Sequence, residues 1–242
     1  MRRVVVSGGE PELAALLDLF PEGVEELDDG FAVYTDDVGE ATLRERFPSA
    51  TASAVAPGWE DGWRAFHHGV VVGRLWVGPP WEHAPAGAAA VVIDPGRAFG
   101  TGAHPTTRLC LELLQELEPA SLLDVGCGSG VLSIAAALLG FAPVTGIDLD
   151  NAAVEATLAN ARVNGVELAA RRADALADAL PHTGVAVANV ALDVVERLLP
   201  RLSSRWVVAS GYLERDEPRV EGWRRARRRT ADGWAADLLE PA

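Results

Sequence analysis

Lysine is absent from this 242-residue chain: all 21 basic side chains are arginine, set against 35 Asp and Glu. The net charge of −14 argues against a nucleic-acid partner, because phosphate binding rests on clustered positive charge. Cysteine is almost absent. Cys110 and Cys127 form no CxxC spacing, and no disulfide framework is readable. Runs of about 18 consecutive apolar residues, the length a membrane helix needs, do not occur. The opening Met1-Arg2-Arg3-Val4-Val5-Val6 reaches Ser7-Gly8-Gly9 before the apolar stretch of a signal peptide can form. A cytoplasmic protein without membrane contact is the expectation. The five histidines, His67, His68, His83, His104 and His182, show no ligand spacing with acids or cysteines, so no metal site is expected.

What is present points to a large domain preceded by a small one. Hydrophobic residues make up 49% of the chain, enough for a substantial core. The acids are uneven: residues 1–60 hold four Arg and thirteen Asp or Glu, residues 61–242 seventeen and twenty-two. An acidic first quarter can steer a basic protein at long range, or simply maintain solubility. Over residues 1–57 the patterning predicts strand Arg3–Val6, helix Pro11–Phe20, strands Gly23–Leu27 and Phe31–Tyr34 around an Asp28-Asp29-Gly30 turn, helix Glu40–Phe47 and strand Ala50–Val55. That βαββαβ order fits a small ferredoxin-like α+β domain. Residues 58–90 read as a connector holding Trp59, Trp63, Trp76 and Trp81, with one strand over Val70–Val77. Clustered Trp anchors a connector on its neighbour more often than it forms a binding platform.

From residue 91 to 242, strands and helices alternate, which predicts an α/β fold with a parallel, Rossmann-like sheet. Strands are expected at Leu122–Val125, Val144–Ile147, Leu168–Arg171, Val185–Ala188 and Trp206–Ala209. Helices are expected at Thr106–Leu117, Val131–Leu139, Ala152–Val163, Leu192–Leu202 and Arg219–Arg225. Two closing strands around Asp232-Gly233 predict an antiparallel C-terminal hairpin.

Chemistry concentrates at the strand ends. Asp124-Val125-Gly126-Cys127-Gly128-Ser129-Gly130 leads from an apolar strand into a helix, and its glycines allow a tight bend and close ligand approach. A dinucleotide fingerprint would need glycine where Val131 stands. The GxGxG spacing instead suits a nucleoside amino acid such as S-adenosylmethionine. Asp148, in Gly146-Ile147-Asp148-Leu149-Asp150, can accept both ribose hydroxyls, while Asp150 fits a helix N-cap. Asp174 is placed to meet an adenine amino group or to sit in a surface turn. Asn189 ends the fourth strand, where ligands of open α/β sheets sit, and should face the transferring group. In Asp94–Thr107, Thr106 or Thr107 can cap the next helix and hydrogen-bond a ligand carboxylate. His104 reads as structural or as a general base. Cys127 has no evident base beside it, so a nucleophilic role is not expected. The basic Arg224–Arg229 run can touch RNA or guard a sheet edge against unwanted pairing.

Together, the Phe99-Gly100-Thr101-Gly102-Ala103-His104-Pro105-Thr106-Thr107 run, the Asp124–Gly130 loop, Gly146–Asp150 and Ala188-Asn189-Val190 resemble the bacterial ribosomal protein methyltransferases that modify large-subunit ribosomal protein eleven. The resemblance is close over residues 91–190 and extends to Trp63, Phe66, Trp76 and Trp81. It implies a small substrate-recognition domain, a linker and a class I methyltransferase domain. It further implies S-adenosylmethionine as cofactor and lysine ε-amino and N-terminal α-amino groups of a basic ribosomal protein as substrate; a monomer is expected. By position, Thr107, Gly126, Asp148 and Asn189 would contact the cofactor, with Phe99 and Gly100 near the methyl donor; Asp124, Gly128, Gly130, Thr106 and Asp174 are further candidates for cofactor contact, and Asn189 and Phe99 are the candidate catalytic residues. Other readings remain open: a protein-lysine methyltransferase with another basic target, an RNA methyltransferase, or a non-catalytic cofactor-binding module.

Overall fold

The computed structural model describes residues 2–9, 12, 15, 16, 19, 25–27, 30–35, 37–54, 68–94, 102 and 104–242. The chain divides into two compact units, Met1–Phe66 and His67–Ala242.

The first unit is a four-stranded antiparallel sheet of β1 (Arg2–Ser7), β2 (Glu25–Leu27), β3 (Gly30–Thr35) and β4 (Thr51–Ala54), in the order β2-β3-β1-β4. Alternation along β1 sends Val4 and Val6 inward, where they meet Leu16, Val33 and Leu43. Leu43 belongs to helix α1 (Asp37–Arg46). Glu12, Ala15, Leu16 and Leu19 of the expected first helix are helical; the rest of that span, and Asp28-Asp29, lie outside the described residues. The strand order is that of the expected ferredoxin-like sandwich.

The second unit contains a seven-stranded sheet of β8 (Leu122–Val125), β9 (Val144–Asp148), β10 (Ala169–Arg172), β11 (Val185–Asn189), β12 (Trp206–Leu213), β13 (Trp223–Ala231) and β14 (Trp234–Pro241), ordered β10-β9-β8-β11-β12-β14-β13. The first five strands run parallel, and β14 and β13 close the sheet antiparallel. Successive residues point to opposite faces. Leu122, Val185, Val187 and Val208 therefore meet helices α2 (Pro105–Leu114) and α3 (Val131–Leu138) on one side. Leu123, Val125, Ala186, Ala188 and Val207 meet helix α5 (Leu192–Leu198) on the other. Helix α4 (Asn151–Val163) links β9 to β10. Among the described residues, no helix is long and apolar enough to cross a membrane.

Three expectations need correction. The single strand over Val70–Val77 is a hairpin of β5 (Val70–Val72) and β6 (Leu75–Gly78), because Gly73 adopts φ +59° and turns the chain. With β7 (Ala89–Val92) these strands form a three-stranded sheet whose Val72, Leu75, Val77 and Val91 join the core around α2. The described stretch from His68 to Asp94 thus contributes to the core of the second unit. The helix expected at Arg219–Arg225 is absent: Trp223–Ala231 is strand β13, paired to β14. The helix expected at Leu192–Leu202 ends at Leu198 and continues as one 3-10 turn, Leu199–Arg201.

Candidate functional site

Strand β8 is the switch point of the sheet: β9 lies on one side of it and β11 on the other. Crevices form there, beyond the carboxyl ends of the strands. A cavity of about 380 Å³ occupies the position, within the roughly 300–1,000 Å³ of small-molecule sites.

Of the residues singled out in the sequence, Thr107, Gly126, Gly128, Asp148, Asp174 and Asn189 line this cavity together. The bend after β8 is made by Gly126 at φ +74° and Gly128 at φ +53°, values that side chains disfavour. A Cβ on Gly126 would come within 2.8 Å of Val190 Cγ1. Asp148 holds the loop from the neighbouring strand. Its Oδ2 accepts from Gly128 N and its Oδ1 from Asp150 N, both at 3.0 Å. An ionised carboxylate has about four acceptor positions, so two backbone donors leave room for ligand hydroxyls. Asp150 caps α4, accepting from Ala152 N. Asp174 closes its own turn: Oδ1 accepts from Leu176 N at 2.8 Å. Across the cavity, Asn189 Nδ2 donates to Thr107 Oγ1 at 3.4 Å.

Three other candidates do not line it. Asp124 is buried beneath the loop, where Oδ2 accepts from the Ser133 hydroxyl at 2.6 Å. Its Oδ1 has no hydrogen-bond partner among the described residues. Burial pushes its pKa up to about 6, and the Asp148 charge adds to that shift. Gly130, at φ +84°, stands at the N-cap of α3 with Thr157 packed against it. Thr106 is buried, its hydroxyl 2.7 Å from His104 Nδ1. Neither Thr106 nor Thr107 caps α2. His104 does, because its Nδ1 accepts from Thr106 N. The ring lies edge-on to Trp234 at 5.0 Å, and burial with nearby Arg108 holds its pKa below the usual histidine value. Phe99 and Gly100 lie outside the described residues.

The sequence reading missed the apolar wall, formed by Val125, Ile147, Leu149, Leu176 and Val190 among others. The signal available for Leu149 was its place between Asp148 and Asp150, and in the structure it is an apolar residue 63% exposed. Cys127 also lines the cavity, and burial with the Asp124 charge pushes its thiol up to about 12, so it is no nucleophile at neutral pH.

Residues 29–235 match the family model described as Ribosomal protein L11 methyltransferase (PrmA). The chain belongs to this family. Relatives carrying that name include one from Azotobacter vinelandii, 47% identical over 60% of this chain and 52% of the relative. Another, from Citrifermentans bemidjiense, is 40% identical over 66% of this chain and 58% of the relative. The chain thus spans little more than half the length of the curated relatives it matches. The solved structure of ribosomal protein L11 methylase from Lactobacillus delbrueckii subsp. bulgaricus aligns with a TM-score of 0.64 at 30% identity, covering 72% of this chain and 98% of that one. The fold is that of the class I methyltransferases.

Proposed function

We propose that the protein transfers methyl groups from S-adenosylmethionine to lysine ε-amino and N-terminal α-amino groups of large-subunit ribosomal protein L11. One observation carries the reading: the cavity at the β8/β11 switch point gathers Gly126, Gly128, Asp148 and Asn189 in its lining. The cofactor fits these residues. Glycines without Cβ let a nucleoside amino acid approach the loop, Asp148 keeps acceptor capacity for ribose hydroxyls, and Leu149 and Leu176 offer apolar surface for an adenine. When bound, the cofactor supplies a methyl group on a sulfonium, open to in-line attack.

The chain's residues then orient and shield. Asn189, fixed by Thr107, holds the incoming amine at the mouth of the cavity. The amine must be neutral to attack, and a free lysine has a pKa of about 10.4, so proton loss to solvent precedes transfer. His104 Nδ1 is committed to the α2 cap, and no dedicated base acts at that atom. The acidic first unit recognises the basic substrate, and the protein works as a cytoplasmic monomer.

An RNA substrate is disfavoured by the arginine run of β13. Arg224 pairs with Glu240, Arg225 with Glu217, Arg227 and Arg229 with Glu116, and Arg228 with Asp237. Each guanidinium already faces a carboxylate. Incubation with S-adenosylmethionine, ribosomal proteins and ribosomal RNA, followed by mass spectrometry, tests the proposal. Methyl groups on L11 amines are expected. Methylated RNA, or cofactor binding without any methylated protein, would overturn it.

A further inference from the structure

Helix α4 presents a polar stripe where an amphipathic helix would ordinarily bury apolar side chains. Thr157, Asn160 and Asn164 recur at three- and four-residue spacing and share one face. Thr157 and Asn160 are both buried, which is costly unless their polar atoms are used. They are used on the glycine loop. Thr157 Oγ1 donates to Gly128 O at 3.0 Å and lies 3.3 Å from Cys127 Sγ. Asn160 Nδ2 donates to Ser129 O at 2.9 Å. The other end of the same carboxamide serves a different segment: Asn160 Oδ1 accepts from Asp94 N at 3.3 Å. Asn164, one turn on, pairs with both backbone groups of Val92, at 2.8 and 2.7 Å, much as a neighbouring strand would.

We propose that Asn160 is a positioning residue for cofactor binding, fixing the Ser129 carbonyl of the glycine loop and the Asp94 amide, which opens the Asp94–Thr107 run, at the span of one carboxamide. The inference rests on the reading of the cavity as a cofactor site. Its warrant is the division of labour within one side chain. The two atoms bind segments 31 and 66 residues away, and neither bond belongs to the helix that carries the residue. The loop needs such an external hold. Gly128 and Gly130 flank Ser129 in left-handed conformations, and glycine populates these without preferring them. Among side chains of this length, only a carboxamide offers a donor and an acceptor in one plane. Asn164 is the control, since its side chain reaches Val92 and the Asn160 backbone carbonyl and not the loop.

The test compares Asn160→Ala, Asn160→Asp and Asn164→Ala with the wild-type chain. Binding of S-adenosylhomocysteine is read by calorimetry, stability by urea unfolding, and KM and kcat by initial rates. Loss of one buried hydrogen bond predicts a rise of about tenfold in Kd and in cofactor KM for Asn160→Ala. At saturating cofactor, kcat should stay within about twofold of wild type. Asn160→Asp keeps an oxygen for Asp94 N but loses the donor to Ser129 O, and should weaken binding as well. Asn164→Ala should lose stability with Kd unchanged. An Asn160→Ala protein that binds within about twofold of wild type, while losing stability as Asn164→Ala does, would overturn the proposal and leave Asn160 merely structural. If Asn160→Ala does not fold, the Kd of Asn160→Asp decides by the same criterion. A wild-type chain that takes up no S-adenosylhomocysteine would overturn the cofactor reading instead.

Discussion

Asn189 and Thr107, 82 residues apart, meet across the cavity with Asn189 Nδ2 3.4 Å from Thr107 Oγ1. Asn189 ends β11, and Thr107 sits in the first turn of α2, so the bond ties the sheet to the helix in which the Phe99–Thr107 run ends. Removing the carboxamide in Asn189→Ala should lower kcat by about 10²-fold at saturating cofactor, the scale expected for a lost alignment. Thr107→Val, which keeps shape and deletes the acceptor, should lower it by roughly tenfold. If Thr107 acts through Asn189, the double variant resembles Asn189→Ala alone. Fully additive losses would show that the two residues act separately.

The two aspartates of Gly146–Asp150 should separate cleanly by substitution. Asp148 binds the glycine loop and lines the cavity, whereas Asp150 caps α4. Asp148→Asn forfeits a charged acceptor and should weaken S-adenosylhomocysteine binding by roughly 10- to 100-fold. Asp150→Ala should cost about 1 kcal/mol of stability, the usual worth of an N-cap, with binding retained. Calorimetry and urea unfolding on the two variants check the contrast, and a binding defect in Asp150→Ala would contradict it.

The site was legible where its parts are local. The GxGxG loop, Asp148 two positions before the helix cap, and Asn189 at a strand end each depend on a few consecutive residues, and all three reach the cavity. What escaped was non-local. The helix expected at Arg219–Arg225 gives way at Trp223 to β13, whose ion partners Glu116, Glu217, Asp237 and Glu240 lie elsewhere in the sequence, while the sheet-edge reading of Arg224–Arg229 holds. Val70–Val77 is continuously apolar except at Gly73 and Arg74, and the turn there depends on Gln115, which accepts from Arg74 N and donates to Val72 O. The α2 cap was assigned to threonine on propensity, but the His104 imidazole took the position, packed against Trp234.

Burial gives Asp124 a pH signature. Its folded pKa of about 6 stands above the ordinary value of 3.8, so the native state binds the proton more tightly than the unfolded chain. Stability from this group is therefore complete below about pH 4 and lost as pH rises through about 6. The loss is on the order of 3 kcal/mol for a shift of that size. Asp124→Asn cannot ionise at this position. The stability of wild type relative to Asp124→Asn should fall between pH 4 and 6, as measured by urea unfolding without cofactor. A difference that stays flat across that interval contradicts the assignment.

The closing hairpin depends on a buried charge. Asp237 is fully buried on β14, and Arg228 on β13 grips it through Nε and Nη2, each at 2.8 Å. The Tyr212 hydroxyl lies 3.0 Å from Asp237 Oδ2, and burial together with that carboxylate pushes its pKa up. Arg228→Met leaves the buried carboxylate with only the Tyr212 hydroxyl and Arg225 Nε at 3.9 Å, and should cost about 3–5 kcal/mol. Tyr212→Phe removes one hydrogen bond to a charged group, worth about 1.5–3 kcal/mol. Urea unfolding measures both. An Arg228→Met loss smaller than that of Tyr212→Phe would mean that the ion pair contributes little.

Gly211 connects that hairpin to the site. The β12–β14 register shifts between Ser210 and Tyr212, and Gly211 in between takes φ +103°. An added Cβ would stand 2.2 Å from Val190 O, a backbone atom with little freedom to move. Val190 directly follows Asn189, and its amide donates to Ser210 O at 3.0 Å. Gly211→Ala should therefore displace the end of β11. The strained backbone alone costs about 1–2 kcal/mol. A displacement near 1 Å at Asn189 should reduce kcat by roughly 10²-fold at saturating cofactor. The fall in kcat should persist at a temperature where the variant is fully folded by circular dichroism, which separates misplacement from instability. Wild-type kcat in folded Gly211→Ala would show that the bulge does not set the position of Asn189.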